Sequence, residues 1–410
     1  MSVSLQTSYK QETPAGTAAM PQPGAKPLPK LFQPLRIRGV EFQNRIFVAP
    51  MCQYSAEDGI ISPWHLAHLG GIFTRGPGLT ILEATAVIPE GRVTPHDVGL
   101  WSDEHIAPLK TIVDFAHSQK QNIGIQLAHA GRKASTTPPW LSGSTIASKE
   151  KGGWPDNVWA PSPIPFNEEY PSPHELTLQG IQAAVTAFAV AAKRAVVAGF
   201  DVIEVHSAHG YLLSSFLSPT SNHRSDKYGG SFENRIRLLI EVVDAIRAVI
   251  PTTMPVFVRI SGTEWLEEVA PTEPSWRSED TARLAPILAD HSVDLLDISA
   301  GGNSSRQAVR SGPGYQVPFA RAAKKAVGSR MLVSAVGGLH DSQYAESVLE
   351  SGDADIILVG RQFQKNPGLV WNIADDLDVQ VHWANQIRWG FAGRGTRGLG
   401  TSSNSETVKL

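Results

Sequence analysis

The chain has 410 residues, and 36 Lys plus Arg against 39 Asp plus Glu give it a formal net charge of −3. No basic block offers a surface that tracks phosphates, so nucleic acid is not an expected partner. Cys52 is the only cysteine, which excludes intrachain disulfides, Cys-rich zinc modules and four-cysteine iron–sulfur clusters, and fits a reducing, cytoplasmic location. No uninterrupted apolar run approaches the roughly 20 residues that span a bilayer, so a soluble protein without membrane contact is expected. Residues 1–30, with Pro14, Pro21, Pro23, Pro27 and Pro29 among scattered polar positions, read as a flexible N-terminal tail. Residues 31–44 alternate apolar and polar side chains around Arg38-Gly39 and predict a hairpin. Eight short apolar runs, flanked by Gly, Pro, Asn or Asp, then predict strands at 45–49, 79–84, 122–127, 201–205, 256–260, 294–299, 331–335 and 355–359. Helical segments are predicted between them at 103–119, 177–198, 231–249, 278–291, 315–327 and 341–350. The connection 136–175 carries Trp140, Trp154 and Trp159 among many prolines; it reads as a lid, or alternatively as a surface excursion that buries its own rings. Residues 391–410 are rich in Gly, Ser and Thr and read as a flexible C-terminal tail.

Strands alternating with helices imply parallel pairing through right-handed crossovers, and eight such units close a barrel. The predicted fold class is therefore α/β, a (β/α)8 TIM barrel over residues 31–390, capped by the N-terminal hairpin and carrying a long loop after the third strand. A doubly wound open sheet has less support, because no Gly-x-Gly-x-x-Gly turn follows the first strand.

In such a barrel the residues just beyond each strand converge on one face. The fourth strand runs straight into His206-Ser-Ala-His209-Gly-Tyr211, which holds three hydrogen-bonding side chains within six residues. The glycines ending at Gly338 and Gly360, after strands seven and eight, leave backbone N–H groups for a phosphate, and Arg361 adds a planar cation. Arg259 sits inside the fifth strand, where an unpaired guanidinium is costly and needs an anion or a polarised carbonyl. Gln126, inside the third, offers a donor and an acceptor suited to the edge of a heterocycle. Cys52 stands in the first loop, as a soft neighbour of an aromatic ligand or as an inert thiol.

Together these residues resemble the Old Yellow Enzyme family of flavin-dependent ene-reductases, in particular its thermophilic-like subclass with an active-site cysteine. The motifs that carry the resemblance are Ala49-Pro-Met-Cys-Gln-Tyr54, Trp101-Ser-Asp-Glu-His105, Gly124-Ile-Gln-Leu-Ala-His-Ala-Gly-Arg-Lys133, His206-Ser-Ala-His-Gly-Tyr211, Phe216-Leu-Ser-Pro219, Ser221-Asn-His-Arg224, Tyr228-Gly-Gly-Ser231, Glu233-Asn-Arg235 and Gly360-Arg361. The resemblance implies non-covalent FMN, reduced by NADPH or NADH and reoxidised by an activated alkene. It implies that Pro50, Met51, Cys52, Ala84, Gln126 and Arg259 surround the flavin ring while Gly338, Gly360 and Arg361 hold its phosphate. It also implies that His206 and His209 bind the substrate carbonyl, that Tyr211 delivers the proton, and that Tyr54 faces the same pocket. Lys133 falls in a family motif and is counted with the substrate site, with packing and charge balance as the other reading. Gln386-Ile-Arg388-Trp-Gly resembles a tail whose arginine enters a neighbouring subunit's site, which implies a homodimer or a dimer-based tetramer.

Two other readings stay open on the residues alone. A zinc-dependent hydrolase or binding protein would use Cys52, His206 and His209 as ligands. A flavin-free barrel enzyme acting on a phosphorylated metabolite would account for the glycine pairs.

Overall fold

The computed structural model describes residues 10–141 and 145–392. The hairpin is present: β1 (Leu35–Ile37) and β2 (Val40–Phe42) pair antiparallel around Arg38-Gly39. Then follow β3 (Ile46–Val48), β4 (Leu79–Ala86) and β5 (Ile123–Ala128), and, within the long connection, a short parallel pair of β6 (Trp159–Ala160) and β7 (His174–Glu175). The remaining strands are β8 (Val202–Ser207), β9 (Val256–Ser261), β10 (Leu295–Ser299), β11 (Leu332–Val336) and β12 (Ile356–Val359). β12 returns to pair with β3, so β3, β4, β5 and β8 to β12 form a closed parallel barrel of eight strands. Each expected strand is present within two residues at either end. The runs were legible because a barrel strand is buried both by the interior and by the helix layer, which removes the polar alternation of a half-exposed strand.

The helices are α1 (Pro63–Phe73), α2 (Ile106–Ser118), α3 (Leu178–Ala198), α4 (Leu212–Leu217), α5 (Phe232–Arg247) and α6 (Ser278–Asp290). They continue with α7 (Val317–Val327), α8 (Ser342–Glu350), α9 (Arg361–Lys365), α10 (Leu369–Asp376) and α11 (Trp389–Ala392). α3 starts at Thr177, whose hydroxyl accepts the Gly180 N–H at 3.0 Å, and stops at Gly199, whose φ of 96° an L side chain adopts only with strain. By length and composition α3 is apolar enough to cross a membrane, which a search for an unbroken apolar run passes over. In the fold it is the crossover from β5 to β8, and Ile181, Ala184, Phe188, Ala191, Ala192 and Ala195 bury its inner face.

The N-terminal boundary needs correction. Residues from Lys10 onward, read as tail, dock against the chain near residue 381: Ala18 bridges Val381, Gly16 N–H donates to His382 O at 2.9 Å, and Ala19 N–H donates to Gln380 O at 2.8 Å. The side-chain amides of Gln11 and Gln22 bond to the backbone of Trp383 and Gln380. This docking is made of backbone and amide bonds, which leave no hydrophobic period to read. At the other end Phe391 stacks on Trp383 with centroids 4.7 Å apart, so the described part of the expected C-terminal tail also makes contacts. The rest of that tail, from 393 onward, lies outside the described residues.

Candidate active site

A cavity of about 360 Å³ opens at the carboxyl ends of the barrel strands. One end is lined by Gly337, Gly338, Gly360 and Arg361 after β11 and β12, and Pro50 and Met51 after β3 line it too, Met51 packing against Gly360. Gly338 has φ +68°, and a Cβ there would lie 2.6 Å from the Gly312 carbonyl oxygen, so both backbone and space demand glycine. The N–H groups of Gly338 and Gly360 have no hydrogen-bond partner among the described residues, and Arg361 lines the same end. Unclaimed donors beside a guanidinium suit a phosphate.

The inward positions of the strands form a polar layer below the cavity. Gln126 donates to Glu204 Oε1 at 2.7 Å, Arg259 Nε lies 2.9 Å from Asp297 Oδ2, and Ser334 donates to Asp297 Oδ1 at 2.9 Å. Register makes this layer: Gln126 is opposite Glu204, Arg259 opposite both His206 and Asp297, and Asp297 opposite Ser334. Only Arg259 of this group lines the cavity, and the anion that its place inside the strand was expected to need is in part a buried carboxylate of its own chain, Asp297, one strand away.

His206, His209 and Tyr211 come together as expected. The His206 ring lies 5.2 Å from His209 and 4.9 Å from Tyr211, centroid to centroid, and both contacts are edge-on. His206 Nδ1 accepts the Ala208 N–H at 3.2 Å, which leaves the neutral ring's proton on Nε2. His209 takes a left-handed φ of 61°, held by its N–H to Ser261 Oγ at 2.9 Å, and its Nε2 lies 2.7 Å from Ser299 Oγ. Burial, then the His209 ring and the Arg259 and Lys133 charges, hold His206 well below the ordinary histidine range; burial and the same two cations do so for His209. Both are neutral imidazoles at physiological pH. Burial pushes the Tyr211 phenol well above its ordinary range, so it keeps its proton.

A bulge in β4 between Leu82 and Ala84 re-aims Glu83, whose Oε2 accepts the Gln53 N–H at 3.0 Å and so fixes the loop carrying Cys52 and Tyr54. Ala84 is buried beside it, opposite Gln126 in register. Burial first, then the carboxyls of Asp97 and Glu83, push the Cys52 thiol up. Cys52 is therefore a thiol, not a thiolate, at neutral pH. Tyr54 also has a left-handed backbone, and burial raises its phenol. Trp140 from the long connection lies edge-on to Tyr54, 5.5 Å between centroids, while 63% exposed. Trp154 is instead anchored: Arg92 stacks on it at 4.7 Å and its indole N–H donates to Glu90 O at 3.1 Å. The connection thus holds one ring half-buried and packs another, exposed, against Tyr54.

Lys133 makes the contacts of the second of its two readings, packing and charge balance. Its ammonium donates to His209 O at 2.9 Å and to Gly302 O, and lies over the Phe166 ring at 4.1 Å and the Tyr211 ring at 5.8 Å. It braces the loops after β8 and β10, where backbone carbonyls take two of its three donors. Arg388 lies outside the cavity of its own chain, next to Trp389, which is 65% exposed. Among the described residues no group of three His, Cys, Asp or Glu is arranged to hold a metal, which leaves the zinc reading without a ligand set.

Residues 30–380 match the family model of the NADH:flavin oxidoreductase / NADH oxidase family. The chain belongs to that family. It is 55% identical over 395 residues to an NADH:flavin oxidoreductase of Gibberella zeae, covering 95% of this chain and 94% of the relative. It is 40% identical over 363 residues to an NADPH dehydrogenase of Geobacillus thermodenitrificans, covering 88% and 98%. Among solved structures, morphinone reductase aligns with a TM-score of 0.68 at 26% identity, over 86% of this chain and 91% of that one. The chain is thus a flavin-dependent NAD(P)H oxidoreductase of the Old Yellow Enzyme family, and its cofactor is FMN. That membership removes the flavin-free reading. The residues present fit FMN: the cavity is lined by the unclaimed N–H groups of Gly338 and Gly360, by Arg361 and by Arg259, whose guanidinium makes no hydrogen bond among the described residues. Glu204, Asp297, Glu83 and Asp97 escaped the sequence reading. The signal available for the first two was a carboxylate in the middle of an apolar strand, Val-Ile-Glu204-Val and Leu-Leu-Asp297-Ile.

Proposed function

We propose that this family member reduces the activated C=C bond of α,β-unsaturated carbonyl compounds, in the manner of the subclass with an active-site cysteine. The observation that carries the reading is the pair of neutral imidazoles, His209 of which lines the cavity, packed edge-on with a protonated phenol. When bound here, FMN would supply hydride chemistry, with NADPH or NADH as the source of the hydride and the β-carbon of the alkene as its destination. Pro50 and Met51 would line its ring, with Cys52 and Ala84 beside them, Arg259 would address its pyrimidine edge with Gln126 behind it in the polar layer, and Gly338, Gly360 and Arg361 would hold its phosphate. His206 and His209 hydrogen-bond the substrate carbonyl oxygen, drawing charge away from the β-carbon. A neutral imidazole does this without placing a second cation beside Arg259. Tyr211 delivers a proton to the α-carbon and is recharged from solvent, while Tyr54 closes the same pocket. One NAD(P)H and one proton are consumed for each saturated carbonyl compound formed. Trp140, against Tyr54, acts as the lid over the substrate end.

The test is the double variant His206→Ala/His209→Ala. Losing two donors to a developing oxyanion costs about 10² to 10³ or more in enone turnover. FMN content and NAD(P)H oxidation by oxygen should persist. Enone turnover at the wild-type rate would mean that the substrate oxygen is bound elsewhere.

A further inference from the structure

The barrel interior holds two carboxyl groups, Glu204 and Asp297, that the reaction above does not use, and one of them is paired with Arg259. Arg259 and Asp297 are neighbours in register on β9 and β10, 2.9 Å apart from Nε to Oδ2, with side chains 7% and 0% exposed. A third strand pins the carboxylate: Ser334 on β11 donates to Asp297 Oδ1 at 2.9 Å. Nε and Oδ2 are an ion pair without hydrogen-bond geometry, and no bond among the described residues claims the terminal nitrogens of Arg259, which are the part left for the cavity that Arg259 lines. We propose that Asp297 is a positioning residue that aims the Arg259 guanidinium at the flavin's pyrimidine edge and offsets part of its charge, so that Asp297 sets the flavin's reduction potential. This rests on FMN lying over Arg259, as proposed above.

The charges facing the pair are few. Across the layer, Glu204 on β8 bonds Gln126, and its second oxygen has no partner. His206 faces Arg259 from β8, and His209 and Lys133 lie beyond it. Burial, then the Asp297 charge, raises Glu204, with Arg259 opposing; burial raises Asp297, and Arg259 opposes that as well. The arrangement with Asp297 ionised against Arg259 and Glu204 protonated leaves the layer neutral. A lone cation facing a flavin would favour its two-electron reduced, anionic form strongly, and a paired one favours it less. The carboxylate therefore holds the potential down, towards a flavin that gives up hydride more readily.

The experiment uses full-length chain, FMN and two readouts besides turnover: the potential by anaerobic dye equilibration, and the melting temperature of the apoprotein. Asp297→Asn, which keeps size and removes charge, should raise the potential so that reduced FMN is held at least tenfold more tightly relative to oxidised FMN, about 30 mV for a two-electron couple. In an Arg259→Gln background the same change should shift it much less. If Asp297→Asn does not fold, the melting readout decides. The charge-neutral Arg259→Gln/Asp297→Asn double should melt above either single variant, because each single leaves one buried charge unpaired. An unmoved potential in folded Asp297→Asn, or a double no more stable than the singles, overturns the proposal. If Arg259→Gln itself changes neither FMN affinity nor potential, the placement of the flavin over Arg259 is what has failed.

Discussion

Replacing Lys133 with Met separates its roles as a brace and as a buried charge. Burial, with Arg132 adding to it, lowers the Lys133 pKa from 10.5 to about 7. Above pH 10.5 the amine is neutral in the folded and unfolded chain alike. As pH falls, the unfolded chain takes up the proton first and the folded chain only near pH 7, so this residue's contribution to stability is lost between those values. At about 1.4 kcal/mol per pH unit, going from pH 9 to 7 removes roughly 2–3 kcal/mol. Two hydrogen bonds to carbonyl oxygens, about 1 kcal/mol each, and the Phe166 contact, about 1–2 kcal/mol, offset most of that and explain why the chain tolerates the charge. Urea unfolding of FMN-saturated protein at both pH values checks the sign. The stability of wild type minus that of Lys133→Met should be near zero at pH 7 and larger by about 2 kcal/mol at pH 9. An equal difference at the two pH values would refute the reasoning, since Lys133 would then titrate as an exposed lysine. The variant should also raise the KM for enones, because the His209 carbonyl loses its donor.

Gly338→Ala sets a methyl 2.6 Å from the Gly312 oxygen in left-handed backbone, at a cost of about 1–3 kcal/mol. The apoprotein should still fold but bind FMN at least tenfold more weakly by fluorescence titration; unchanged affinity would move the phosphate elsewhere. Cys52→Ala should leave an active, flavin-loaded enzyme with a shifted potential, since a buried protonated thiol perturbs electronics without forming a bond to substrate. Complete inactivation of a folded variant would instead make it a nucleophile. For assembly, we propose a homodimer or dimer-based tetramer in which Arg388 completes a neighbour's pocket. Truncation after Ala384 should raise the KM for substrate and loosen the assembly in light scattering, whereas removal of residues 393–410 should do little; a monomeric wild type defeats this.

Much of the barrel was legible because each strand is an apolar run of five or so residues and most crossovers keep a helical period. α1 was not, since Gly70-Gly71 interrupts its period; its start is set by Pro63 and by His65, whose Nδ1 accepts the Ser62 N–H at 3.1 Å. The site was legible at the strand ends, where His206, His209 and Tyr211 adjoin in sequence. It was not legible one layer below: Glu204 and Asp297 meet Gln126 and Arg259 only through barrel register. Lys133 was counted with the substrate site, with packing as its other reading, because its motif lies beside the site, while two of its three donors go to carbonyls 76 and 169 residues away.

The central claim is that an activated alkene takes the electrons which NAD(P)H delivers. The most direct measurement is anaerobic stopped flow: protein reduced with one equivalent of NADPH is mixed with 2-cyclohexen-1-one, and the flavin absorbance is followed with product analysis. The account predicts that the oxidised-flavin absorbance returns in a saturable single turnover, with one cyclohexanone formed per flavin. Flavin that stays reduced with this and other enones, yet reoxidises promptly in air, would contradict it.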